Sequence, residues 1–556
     1  MRAEDRTDIQ RIPDRIVFKQ TVGALLMSVG SVQIMKEYYG LPDLILLFAV
    51  VFSIFLYGLF IKNGDHHKPY NSYFQLSVVP IIAVGTYCYF VLKFGFFDLS
   101  AIAVHLQLGL DAPDVVHSYF LEAFNIALGV ALFIAGNAVL VRNNSKYRGF
   151  ERIVSLFFFA ALTFWIVSNS NLLAQDNDVR LADLYREPTP LSSDSAPLKN
   201  FIHVYLESTE GTYFDESQFG DTMAPLKPLV SRGLNATNMV QIHNTGWSSA
   251  GMTAANCGVP LSPIGLVAFN NFDWLDEFLP SAVCLGDILN KKGYQLSFIL
   301  GANARFSGVD HLYIKHGFDD VLDLDHFKRR YRDAPMALAR SKQDWGLQDD
   351  IVFDAALEVL RAQNAMAAPF GLVIETIGGH APDGFLSPRC FNQTDIMAIE
   401  INVLRAVKCS NWLLAQFLAA AERDGLLENT IVVVQSDHLS MKNSIYSQLT
   451  SRKRRNLFFL FGEGIEARSH TNKVSPVDVY PTLLEAVGVR LPDSRAGLGV
   501  SMLSKRKSWI DIHGEALFNA MIRSDRELNA RLWTRSDAKS AADAPAISDA
   551  SPGNTN

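Results

Sequence analysis

The chain has 556 residues, 49% of them hydrophobic and only 19% charged. That charged share lies below the roughly 25% usual in soluble domains, which excludes a disordered chain and argues against a wholly soluble one. The formal net charge of −7 argues against a general nucleic-acid binder, which needs a basic footprint. Four apolar runs open the chain: Leu41 to Ile61, Tyr73 to Leu92, Phe120 to Leu140 and Ile153 to Leu172. Each is close to the roughly 20 residues that cross a bilayer as helix. A fifth run, Val17 to Met35, carries Lys19, Gln20 and Gln33 and is the weakest of the set. Basic residues cluster before it (Arg2, Arg6, Arg11, Arg15), after Ile61 (Lys62, Lys68) and before the last run (Arg142, Lys146, Arg148, Arg152). The positive-inside rule puts all three clusters on the cytoplasmic side only if five runs span. Residues 1–174 are therefore expected to form a membrane region of four to five helices, five being favoured, with everything after Leu172 facing outward.

Residues 175–200 are polar and contain Pro188, Pro190 and Pro197, which reads as a linker. Short apolar runs follow at Phe201 to Leu206, Leu296 to Leu300, Phe370 to Glu375, Ile431 to Gln435 and Leu457 to Phe461. Helical patterns lie between and after them, at Asp349 to Ala362, Ala398 to Arg423 and Ser475 to Ala486. Continuous apolar strands alternating with helices predict an α/β domain over 201–507, with a mostly parallel sheet covered on both faces. Residues 508–556 read as an amphipathic stretch, Trp509 to Trp533, and a disordered tail.

Five cysteines are present. Cys88 lies in a span. Cys257, Cys284, Cys390 and Cys409 lie in the outward domain, where an even number predicts two disulfides. Of three pairings, Cys257 with Cys284 and Cys390 with Cys409 closes the shortest loops.

Polar groups stand where a parallel sheet presents its loops. Glu207-Ser208 follows the first strand, and Asp437-His438 follows the strand from Ile431. Carboxylates with one imidazole suit Mn²⁺, Mg²⁺ or Zn²⁺. Between them in sequence, Ser248-Ser249-Ala250-Gly251 can start a tightly packed helix. A hydroxyl there sits beside free backbone N–H groups and the positive end of the dipole.

Several segments carry a resemblance: YLESTEGTYFDE (205–216), TGWSSAGMTAANCGVPL (245–261), CLGDIL (284–289), GANARFSG (301–308), HGFD (316–319), GGHAPDGF (378–385) and SDHL (436–439). In this order they are similar to the sulfatase-like branch of the alkaline phosphatase superfamily, above all to its phosphoglycerol transferases and more distantly to lipoteichoic acid synthases. The resemblance implies a domain of alkaline phosphatase/sulfatase type. It implies a divalent ion, manganese before magnesium or zinc, on Glu207, Ser248, Asp437 and His438. It makes Ser248 the nucleophile, with Ser249 the alternative, and gives Arg305 and His380 the donor phosphate. Trp247 and Trp345 are candidates for a glycerol pocket or for packing. The phosphotransferase pattern commonly has a second His where Ala381 stands. The chain is expected to end soon after the catalytic domain.

The implied activity is transfer of phosphoglycerol from phosphatidylglycerol to a periplasmic glucan through a phosphoglyceryl-Ser intermediate. The implied location is a bacterial inner membrane with a periplasmic catalytic domain, and the partners are membrane lipid and glucan, without nucleic acid. The alternative is a phosphoethanolamine transferase or a related phosphodiesterase or sulfatase. A sulfatase would want a C-x-P-x-R run at Ser248, which is absent. A transporter would want charges within its spans, and from Leu41 onward there is little beyond Glu122 and the terminal Lys93.

Overall fold

Strands buried on both faces are mostly apolar, and the inner strands of this chain are, with buried His203 and Gln435 among the exceptions. The computed structural model describes residues 179–191, 197–262, 272, 275, 277–330, 332, 342–343, 345–525 and 527–534. The five expected spans and the tail after 534 lie outside the described residues. Among the described residues no helix is long and apolar enough to cross a membrane.

An eight-stranded sheet organises the described residues. Its strands are β1 (Asn200–Leu206), β2 (Leu234–Ala236), β3 (Gln295–Leu300), β4 (Asp320–Leu322), β7 (Phe370–Glu375), β8 (Thr430–Ser436), β9 (Phe458–Phe461) and β10 (Arg468–His470). A separate small hairpin pairs β5 (Lys342–Gln343) with β6 (Gly346–Leu347). The sheet order is β10-β2-β9-β8-β1-β7-β3-β4. Only β9 runs against its neighbours; the other pairings are parallel. Central β1 pairs with β7 and β8 so that Tyr205 stands level with Glu375 and Gln435. The ends of three adjacent strands are thereby brought side by side.

Four helices support or border this edge of the sheet: α1 (Ser248–Cys257), α2 (Asp349–Asn364), α3 (Asn402–Arg423) and α4 (Val479–Ala486). Ile202, Val204 and Leu206 of β1 share one buried cluster with Val352, Ala356 and Leu360 of α2 and Val407, Leu414 and Phe417 of α3. Each large apolar side chain among them, fully buried, contributes about 1.5–3 kcal/mol. On the opposite face Asn256 of α1 donates to the Tyr205 hydroxyl at 3.0 Å.

The runs read as strands are strands, with bounds moved by a residue or so. The run from Ala398 becomes helical continuously only from Asn402, because Ile401 is extended. Ser475 to Ala486 begins with a 3-10 turn at Pro476–Asp478. The stretch from Trp509 to Trp533 is not one helix but three, Trp509–His513, Glu515–Ser524 and Glu527–Trp533. Gly514, at φ 81°, ends the first, and extended Asp525 ends the second. Part of the polar connector is fastened down: Arg186 and Gly497 exchange both backbone hydrogen bonds at 2.8 Å, and Leu191 N–H donates to Arg490. Both disulfides pair as expected, Cys257–Cys284 and Cys390–Cys409.

Asp478, fully buried before α4, accepts from the backbone N–H groups of Ser475 and Val500, each at 2.8 Å. Burial pushes its carboxyl up to about 7, against the pull of these hydrogen bonds. The folded chain thus holds this proton more tightly than the unfolded chain does. The resulting stability is complete below the ordinary carboxylate pKa of about 4 and is lost as pH rises through 7. Asp478→Asn should flatten the fall of the thermal midpoint of the purified chain between pH 5 and pH 8; an unchanged slope would assign that limb to other groups.

Candidate metal and nucleophile site

Glu207 follows β1 and Asp437-His438 follows β8, so parallel pairing carries all three to one edge. The ligand atoms of Glu207, Asp437 and His438 lie within 4.8 Å of one another, and all three residues are buried. His438 Nε2 is 3.6 Å from Glu207 Oε1 and 3.2 Å from Asp437 Oδ2. His438 Nδ1 lies 2.8 Å from the Leu439 carbonyl, to which it donates, and Nε2 is the ring nitrogen turned to the carboxylates. Asp437 Oδ1 accepts from the N–H groups of Ser208 at 2.9 Å and His438 at 2.8 Å, while the buried Oδ2 has no hydrogen-bond donor among the described residues. Ser208 sits in the left-handed region at φ 54°. That costs roughly 1–2 kcal/mol, and the residue uses the turn to bond both carboxylates, its hydroxyl donating to Glu207 Oε1 at 2.6 Å.

No Lys or Arg pairs with Glu207 or Asp437 among the described residues. Burial, and then the Asp437 charge, hold the Glu207 carboxyl well above its usual range. Two buried carboxylates side by side are expensive without a counter-charge. An orphaned Asp437 oxygen, an imidazole lone pair and a second carboxylate together form a donor set that fits a divalent cation.

The hydroxyl arrives on α1. Ser248 is its first residue, after extended Trp247, and its Oγ is 3.4 Å from Glu207 Oε2. Ser249 differs: it is fully buried and its Oγ is 2.6 Å from that of Ser307. The close approach depends on Gly251, where a Cβ would lie 1.8 Å from the Asp437 carbonyl oxygen. No other residue lets the first turn of α1 lie on the backbone after β8.

His380 and Arg305 stand on neighbouring loops. Half-buried His380 follows β7, with Nδ1 2.8 Å from the Ala381 carbonyl. Burial lowers its pKa, with the Ala381 carbonyl and the Asp437 charge opposing, which favours the neutral ring with Nε2 as its acceptor. The exposed Trp345 ring lies 4.5 Å from His380 and 5.6 Å from Phe306. Trp247 is buried. Arg305 is exposed on the loop after β3, its N–H bonded to Asn303 Oδ1 at 2.9 Å, and its guanidinium makes no ion pair among the described residues. That loop touches α1 through the Ser249–Ser307 hydroxyl pair. The structure therefore gathers Glu207, Asp437 and His438 into one cluster, places Ser248 against Glu207 and sets His380 and Arg305 on the loops after β7 and β3.

Two further residues bear on the site without being apparent from the sequence. Glu375 closes β7 and is pushed well up by burial and then by Asp437. In the sequence it is only the last residue of a strand, although a carboxylate at a third strand end is a visible signal. Asp349 in the sequence is only the start of a helix.

Residues 199–489 match the sulfatase family. The chain belongs to that family. Phosphoglycerol transferase I of Shigella flexneri is 32% identical over 403 residues, 70% of this chain and 51% of that protein. The protein of the same name from Escherichia coli O6:H1 is 31% identical over the same shares. The chain thus spans about half the length of the curated relatives it matches. Similar solved structures include a protein in the alkaline phosphatase superfamily from Vibrio parahaemolyticus, with TM-score 0.46, 20% identity and coverage of 60% of this chain and 76% of that one. The lipoteichoic acid synthase LtaP from Listeria monocytogenes also has TM-score 0.46, with 18% identity and coverage of 58% and 80%.

Two outcomes check the geometry. Asp437→Asn should strip divalent metal from the purified chain by elemental analysis; full retention would remove Asp437 from the site. Gly251→Ala should cost about 1–3 kcal/mol of stability by overpacking and slow turnover about 100-fold by displacing Ser248, read from thermal melts and steady-state rates.

Proposed function

We propose that this sulfatase-family chain is a transferase that moves phosphoglycerol from phosphatidylglycerol to a periplasmic glucan. The observation that carries the reading is the half-buried Ser248 hydroxyl, at the start of α1 and 3.4 Å from a carboxylate of the acidic-imidazole cluster. The relatives named phosphoglycerol transferase I supply the group transferred. Glu207, Asp437, His438 and the Ser248 oxygen would hold a divalent ion, manganese before magnesium or zinc, which when bound would supply positive charge to lower the hydroxyl pKa and polarise a phosphate oxygen.

Ser248 attacks the phosphorus of the lipid head group. Its oxygen forms a new bond to phosphorus as its proton passes to Glu207 Oε2, the acceptor of its hydrogen bond; the bond to the diacylglycerol oxygen breaks, and diacylglycerol leaves as the alcohol by taking up one proton in exchange, so that the step is proton-neutral. Glu207 accepts the Ser248 hydrogen bond and so orients the attacking oxygen. Arg305, a planar fork of donors, meets two phosphate oxygens. Neutral His380 presents Nε2 to receive the proton of the entering glucan hydroxyl. The glucan oxygen then takes the phosphoglyceryl group and frees Ser248. Burial of Ser249 against Ser307 favours Ser248 as the nucleophile.

An amino-terminal region of five spans, residues 1–174, would hold the outward domain, 201–507, beside a donor that is nearly insoluble in water. The location that fits is an inner membrane with the catalytic domain in the periplasm.

Ser248→Ala should abolish diacylglycerol release from labelled phosphatidylglycerol. The trapped phosphoglyceryl-enzyme, about 150 Da heavier than the free chain in the wild type, should be absent from its mass spectrum. Undiminished release would remove Ser248 from the reaction. Mass spectrometry of added glucans identifies the acceptor.

A further inference from the structure

The loop that carries His380 leaves β7 through Thr376-Ile377-Gly378-Gly379, and something must hold its amides. Asp349, the first residue of α2, does so. Its side chain is buried, with 1% exposure. Oδ1 accepts from Ile377 N–H at 2.8 Å, and Oδ2 accepts from Gly378 N–H at 3.2 Å and from the Ser410 hydroxyl of α3. Three donors on two oxygens match the acceptor capacity of a carboxylate. The loop has little freedom around this grip. A Cβ at Gly378 would lie 2.1 Å from Ser410 Oγ and 2.5 Å from Asp349 Oδ2, and one at Gly379 would lie 2.1 Å from the Glu207 carbonyl oxygen. His380 N–H then bonds back to Ile377 at 3.1 Å, and Phe385 N–H to Gly378 at 2.7 Å.

We propose that Asp349 is a positioning residue for His380: its buried carboxylate, steadied by Ser410, clamps the Ile377 and Gly378 amides and so fixes the imidazole relative to the Glu207 turn. The inference rests on the reading of His380 as a working residue of the transfer. Asp349 shares no hydrogen bond with the acidic cluster or with Ser248 among the described residues, so it acts on the reaction only through the loop. A carboxylate accepting backbone N–H groups makes stronger bonds than a neutral acceptor, which suits it to holding a glycine-rich segment that has no side chains of its own to anchor. Asparagine at this position would keep the size but turn an amide N–H₂ toward one set of donors.

The test uses the full-length chain in detergent with dioleoylphosphatidylglycerol in mixed micelles, reading diacylglycerol release. Asp349→Asn should lower kcat at least about ten-fold while KM and bound metal stay within about two-fold. In a His380→Ala background the same substitution should add less than about a two-fold loss, since coupled residues are not additive. Ser410→Ala, a milder change, should show a smaller kcat loss with the same dependence on His380. Hydrogen exchange should show lost protection across 376–385 in Asp349→Asn. Equal losses in the two backgrounds, or unchanged exchange in that segment, would overturn the proposal. If the wild-type chain releases no diacylglycerol, the functional reading fails, and the exchange result alone then supports or overturns the clamp.

Discussion

Two carboxylates, Glu207 and Asp437, are buried next to each other at the ends of adjacent parallel strands, with no Lys or Arg paired to either among the described residues. Water would separate such charges cheaply; a protein interior does not. The surrounding structure is arranged around that pair. Ser208 takes a left-handed turn that lets its N–H and its hydroxyl reach the two carboxylates. His438 turns its protonated nitrogen to a carbonyl and keeps the other for the pair. The cluster's remaining need is for positive charge, which a divalent ion meets.

The same constraint explains the glycines around the pair. Charges can be concentrated at strand ends only if other backbone segments come close enough to shield them. At Gly251 and Gly379 the chain lies directly on the carbonyl oxygens of Asp437 and Glu207, closer than any side chain allows. One approach delivers the start of α1, the other the loop with His380. Chemistry and packing here are a single problem: removing Cβ atoms lets the Ser248 hydroxyl and the loop bearing His380 approach the acidic pair, and it leaves both segments in need of external anchors. Asp349 anchors one. The Ser249–Ser307 contact and the body of α1 anchor the other.

Much of this is legible in the sequence, for definite physical reasons. Inner strands of a parallel sheet are apolar on both sides, so Phe201 to Leu206, Phe370 to Glu375 and Ile431 to Gln435 stand out as strands. Polar residues directly after such runs must fall on one edge, which is why Glu207 and Asp437-His438 read as neighbours although 230 positions separate the two carboxylates. The edge strands β4 and β10, and β2 beside β10, are three residues each, too short to show a period. The stretch from Trp509 to Trp533 keeps a helical pattern across two breaks, because Gly514 and Asp525 interrupt the backbone without interrupting the apolar spacing. Asp349 is illegible for another reason. An acidic residue opening a helix is ordinary, and only the third dimension shows that its oxygens face the amides after β7 rather than solvent.

The disulfide Cys257–Cys284 joins the last residue of α1 to the residue that precedes the helix Leu285–Asn290. The helix that begins with Ser248 is therefore tied down at its far end by a covalent bond that forms and persists only in oxidising surroundings. Chain in a reducing environment lacks the tether, and the segment bearing the hydroxyl gains its full restraint only once the domain reaches an oxidising one.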